Sequence, residues 1–168
     1  MEKISDLINK DRLWERHESL ANFGLIENGG VNRQALSIDE LKARKQILRW
    51  LEKTNIDFFT DDIANFFFRL EGIDKKSPPV LIGSHIDSQP SGGKYDGVFG
   101  VLAGIEVIQT LSEKNIVPEV SIEVVSWMNE EGSRFAPGMM GSAVFTGVRS
   151  LEKIKKIRDD KGIELETE

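Results

Sequence analysis

Two short stretches concentrate the residue types that bind hard metal ions and move protons. GSHIDSQPSGGKYDG carries His85, Asp87 and Asp96, and SWMNEEGSRF carries Asn129, Glu130 and Glu131. A neutral imidazole with several carboxylates is a ligand set suited to zinc or manganese. A carboxylate has two oxygens, so Asp96 could bridge two ions about 3.5–4 Å apart, the spacing of two-metal hydrolytic sites. Asp87, two residues past His85, falls on the same side of an extended chain, where it could accept the second N–H of the imidazole and fix its orientation. Side chains of adjacent residues diverge, so Glu130 and Glu131 divide naturally into one metal ligand and one base that takes a proton from water. Taken singly, each residue has a plainer explanation: Asp96 as a helix N-cap, the glutamates as solvated surface, His85 as a satisfied core histidine. Only their convergence at one place puts a metal hydrolase on a level with these.

The elements around the two stretches predict that convergence. VLIGSH is an unbroken apolar run, which predicts a strand covered on both faces. DGVFGVLAGIEVIQTLSEKN reads as a long helix opened by Asp96, and VSIEVVSW, after Pro118, as a second buried strand. Strand, helix and strand at this spacing form a βαβ unit with parallel strands, whose carboxyl ends gather reactive groups. Gly97, Gly100 and Gly104 share one helical face and predict close approach of that helix to the sheet.

Upstream, residues 2–22 read as an amphipathic helix with a stripe of Ile4, Leu7, Ile8, Trp14 and Leu20, and with His17 as a partly exposed helix histidine. GLIENGGVNRQALS is a loop. Ser37, with Glu40 three residues on, is a capping box for a helix running through Leu41, Ile47, Leu48 and Leu51. Residues 56–59 and 63–70 read as strands around the Asp61-Asp62 turn, and DKKSPP ends that unit. The charged tail SLEKIKKIRDDKGIELETE predicts a solvated helix with a frayed end. The fold expected is one α/β domain over 1–168, with a mixed, largely parallel sheet flanked by helices.

Composition narrows the function classes. The chain has 168 residues and a net charge of −6, the wrong sign for coating nucleic acid or an anionic membrane. It has no cysteine, so disulfides and thiolate metal sites are excluded. The first 25 residues hold no signal-type apolar core, and no run approaches the roughly 18 apolar residues of a membrane span. A small-molecule substrate in a reducing cytoplasm is the expectation.

GSHIDSQPSGGKYDGVFGVLAGIEV and VVSWMNEEGSRFAPGMMGSAVFTG resemble the two metal-site blocks of the N-carbamoyl-L-amino-acid hydrolases. These group with β-ureidopropionases and allantoate amidohydrolases in the aminoacylase/carboxypeptidase superfamily of di-metal amidohydrolases. GGVNRQALS also fits that family. The resemblance implies a di-zinc exopeptidase-like catalytic domain and two divalent ions, Zn2+ or Mn2+, with Co2+ or Ni2+ as alternatives. It implies His85 as a ligand of the first metal, Asp96 as the bridge and Glu131 as a ligand of the second. Glu130 would be the general base, and Asp87 the aspartate that orients His85. The wording DSQP is closer to carbamoylases and β-ureidopropionases than to allantoate enzymes. The family also implies two further histidine ligands, an inserted lid domain that mediates homodimerisation, and well over twice this length. No histidine follows His85. The expectation is therefore the N-terminal portion of such an enzyme, inactive alone.

Overall fold

A computed structural model describes residues 3–168; Glu2, where the expected N-terminal helix begins, lies outside the described residues. The βαβ unit is present: β3 (Val80–Ser84), α3 (Val98–Glu113) and β4 (Ile122–Ser126). β3 and β4 run parallel in the register Val80–Ile122 through Ser84–Ser126, so both strands end at the same level. Before them come α1 (Lys10–Ala21), α2 (Ile38–Leu51), β1 (Asp57–Thr60) and β2 (Phe66–Leu70); after them come α4 (Met140–Phe145) and α5 (Leu151–Ile154). The strand order is β1-β2-β4-β3. The sheet is mixed, as expected, but its parallel share is smaller: β2 pairs antiparallel with both β1 and β4. The short turn between β1 and β2 forces the first of these pairings, because a parallel pair needs a long crossover.

The main core lies between the sheet and α3, where Phe68, Leu102, Ile105 and Val124 are fully buried. Each contributes about 1.5–3 kcal/mol by leaving water. The glycine face of α3 performs as expected. A Cβ on Gly100 would lie 2.7 Å from Ser84 Cβ, and one on Gly104 would lie 2.9 Å from Val124 Cγ1. Only hydrogen fits there. β3, however, is not covered on both faces: it is an edge strand, and Val80 and Leu81 are exposed. Its apolar run records the α3 contact rather than two-sided burial.

α1 also differs from its apolar pattern. A short 3-10 turn (Ile4–Leu7) precedes it, and Asn9 caps it by accepting the Arg12 N–H at 3.0 Å. Trp14 is exposed, while Arg16 and His17 are buried with Leu20 and Ala21. The cause is an ionic anchor. Arg12 Nε donates to Glu106 Oε2 of α3 at 2.7 Å, and Glu106 is itself buried. This turns the His17 face inward, where its ring sits 5.6 Å from that of Phe99 and its Nδ1 donates to Leu13 O at 2.8 Å. For α2, the Ser37 hydroxyl accepts the Glu40 N–H as the capping box predicts, but Glu40 reaches back to the Leu36 N–H at 3.1 Å.

The C-terminal stretch is not a frayed solvated helix. Ile154 and Leu165 are buried in a second core with Ala35, Met128, Phe135 and Met140. Arg134 holds the end through Glu168 at 2.9 Å and Asp159 at 3.2 Å. Among the described residues, no helix is long and apolar enough to cross a membrane.

Candidate active site

His85 follows β3 directly, and Trp127, the first residue after β4, donates its N–H to Ser84 O at 2.8 Å. This bond ties the two carboxyl strand ends together. Beyond it Asn129 takes a left-handed conformation, φ 49°, and its buried side chain donates to Phe135 O at 2.7 Å. The reversal turns the Glu130-Glu131 pair back over the end of β3. Gly138 packs against the Glu130 carbonyl, and the Met139 N–H donates to that carbonyl at 2.7 Å, so the glutamate loop is closed on itself.

His85, Asp87, Glu130 and Glu131 come together. The His85 Nδ1–H donates to the main-chain carbonyl of Asp87 at 3.0 Å, which leaves Nε2 as the ring nitrogen that gains or loses the second proton. Nε2 faces Glu130 Oε2 at 3.4 Å. Asp87 thus meets the imidazole through its main chain, and its carboxylate stands 3.4 Å from Nδ1. That carboxylate does something else. It accepts the Glu130 N–H at 3.3 Å on Oδ1 and the Glu131 N–H at 3.2 Å on Oδ2, joining the two motifs. Burial opposes protonation of His85, but the nearby Asp87 carboxylate, then the Glu130 charge and the Asp87 main-chain bond, outweigh it and raise its pKa to about 9.

The glutamates diverge. Glu131 turns to Gln89, whose Nε2 donates to Glu131 Oε2 at 2.8 Å and to its carbonyl at 3.2 Å. Asp96 precedes Gly97, the residue at the N-terminus of α3, rather than capping the helix itself. Gly97 has φ 67° and presses on the His85 ring, where no Cβ would fit. The Asp96 side chain is exposed and makes no hydrogen bond among the described residues.

The donor set is right for a hard or borderline divalent cation, and the His85 ring is preset to offer Nε2. Yet among the described residues no three His, Cys, Asp or Glu side chains gather closely enough to hold a metal ion. Three residues had no role in the sequence reading. Gln89 steadies Glu131, Ser133 donates to Ser88 O at 3.1 Å, and Arg33 lies behind the His85 segment. Their bonds go largely to main-chain atoms, which residue type and spacing do not reveal.

Comparison with known proteins finds relatives along nearly the whole chain. The chain is 41% identical over 155 residues to an N-carbamoyl-L-amino-acid amidohydrolase of Rhizobium meliloti, covering 92% of this chain and 37% of that protein. It is 36% identical over 158 residues to an allantoate amidohydrolase of Bacillus subtilis, covering 94% and 38%. A crystal structure of a hydantoinase/carbamoylase family amidase from Burkholderia ambifaria superposes with a TM-score of 0.92 at 44% identity, covering 98% of this chain and 41% of that one. The chain thus spans about two-fifths of the length of these relatives. The model of peptidase family M20/M25/M40 matches residues 81–164, from within β3 past the glutamate loop. With both chemistry-bearing loops inside the matched segment, the chain belongs to peptidase family M20/M25/M40.

Proposed function

We propose that this chain forms the His85/Glu130 wall of an amidohydrolase site that cleaves a linear amide, most specifically the carbamoyl group of an N-carbamoyl amino acid. The observation that carries the reading is the His85 ring. Its Nδ1 is engaged by the Asp87 main chain and its Nε2 is turned toward Glu130, at the ends of two parallel strands. The carbamoyl substrate is favoured by the named relatives, which include three N-carbamoyl-L-amino-acid amidohydrolases.

In this reading His85, Asp96 and Glu131 contribute donors to two divalent ions, Zn2+ or Mn2+, and the remaining donors lie outside these 168 residues. When bound, such ions would polarise the amide carbonyl and acidify water. The chain's own part is proton handling and placement. Glu130 takes a proton from the attacking water and returns one to the leaving nitrogen. Asp87 fixes both the imidazole and the main chain of the glutamate pair. An N-carbamoyl amino acid plus water would yield the amino acid, carbon dioxide and ammonia. A cytoplasmic setting and a homodimeric whole protein belong to the same proposal.

The test is metal content by mass spectrometry on the purified chain after Zn2+ or Mn2+ loading and desalting, with N-carbamoyl amino acid turnover measured in the same sample. Weak metal retention and no turnover are expected for the chain alone, with both restored in a longer protein that supplies the missing donors. Two tightly held ions and turnover by the chain alone would sink the view that donors come from outside. In the longer protein, Glu130→Ala is expected to lower kcat by about 10²- to 10⁴-fold with metal content intact. Retained turnover would remove Glu130 from its role.

A further inference from the structure

The motif GGVNRQALS remains without a function, and its arginine is the most enclosed charged group among the described residues. Arg33 is 0% exposed. Among the described residues, no carboxylate bonds it. Its Nε donates to Ile86 O at 2.7 Å, and its Nη1 donates to Leu20 O at 2.9 Å and Phe23 O at 3.0 Å. Nη2 has no partner among the described residues. A buried guanidinium bonded only to carbonyls is costly to keep, and a lysine could not reach these carbonyls with the same planar fork.

The main chain of the same residue grips the other side of Asp87. Arg33 N–H donates to Ser88 Oγ at 2.9 Å, and Arg33 O accepts the Ser88 N–H at 2.9 Å. Two residues earlier, Val31 exchanges main-chain bonds with Gly92 at 3.0 and 2.9 Å. Asp87 is thus held between Ile86 and Ser88, both fastened to Arg33. Asp87 in turn accepts the N–H groups of Glu130 and Glu131.

We infer that Arg33 is a positioning residue for the candidate active site, clasping residues 86–88 so that Asp87 holds the His85 ring and the glutamate pair in one geometry. The catalytic consequence rests on the reading given under Proposed function; the clasp itself does not. It acts at one remove, since Arg33 makes no hydrogen bond with Glu130 or Glu131.

The test is amide hydrogen exchange by NMR on the metal-free chain, comparing Arg33→Met, Arg33→Lys and Ser88→Ala with the unaltered protein. A clasp predicts that the Glu130 and Glu131 amides exchange about tenfold faster in Arg33→Met, beyond any change at Val124 and Val125 of β4. Arg33→Lys should fall between. If Glu130 and Glu131 accelerate no more than Val124 and Val125, Arg33 only stabilises the junction below α1 and the inference is overturned. Should Arg33→Met not fold, Ser88→Ala decides: a smaller acceleration confined to the glutamate amides supports the clasp, and none overturns it. Titrating Zn2+ alone while following the His85 ring resonances separates the two readings. Unmoved resonances remove the metal reading and leave an observed clasp standing, whereas a failed exchange result removes the clasp whatever zinc does.

Discussion

Asp87 and Asp96 are two carboxylates of one loop, and the protein treats them in opposite ways. Asp87 is buried, accepts two main-chain N–H groups and lies beside an imidazole. The Asp96 side chain is exposed and, among the described residues, makes no hydrogen bond. A carboxylate enclosed by donors is committed to holding shape, because removing it strands those donors. One left in water at the rim keeps its lone pairs for a ligand. The contrast is between two environments, and residue type alone could not separate them.

The contrast can be broken by mutation. Asp87→Ala should be the most damaging, lowering stability by about 2–4 kcal/mol in urea denaturation, since it strands two N–H groups and removes the counter-charge of His85. A loss under about 1 kcal/mol would mean that Asp87 is not the joint between the motifs. Gly97→Ala comes next, at about 1–3 kcal/mol, because it meets both a left-handed φ and the His85 ring. Unchanged stability would show that the ring is free to move aside.

A pH effect tests the same joint from the histidine side. In the metal-free chain the folded state holds the His85 proton more tightly than the ordinary value of 6.5, up to about 9. The stability this gives is complete below pH 6.5 and is lost as pH rises through about 9. The decline should flatten in His85→Gln, and an equal decline in that variant would assign it to another group. Asp96→Asn should shift stability by no more than about 0.5 kcal/mol. A large loss there would erase the difference between the two aspartates.

The convergence of polar side chains at the strand ends was the most legible part of the sequence. His85, Asp87, Glu130 and Glu131 were readable because two apolar strands deliver them and βαβ topology aligns strand ends. The glycine spacing of α3 was readable for a similar reason, since periodicity reports which face touches a neighbour. Less legible was everything decided by long-range pairing. His17 and Arg16 are buried because Arg12 reaches Glu106, a partner that no local pattern indicates. The charged tail is anchored by Arg134 and Leu165 for the same reason. Arg33 and Gln89 were invisible as site residues because they act largely on carbonyls, and every residue carries one.

The Arg12–Glu106 anchor has a consequence for how the chain is made. Its partners lie 94 residues apart. At roughly 5–20 residues per second of synthesis, the first helix leaves the ribosome about 5–20 s before its acceptor exists. During that wait the face it will bury presents Arg16 and His17 to solvent alongside Leu20. A half-polar face is a poor template for premature clustering. The buried charge that makes this helix hard to read from its sequence thus keeps it soluble until its place in the core has been built.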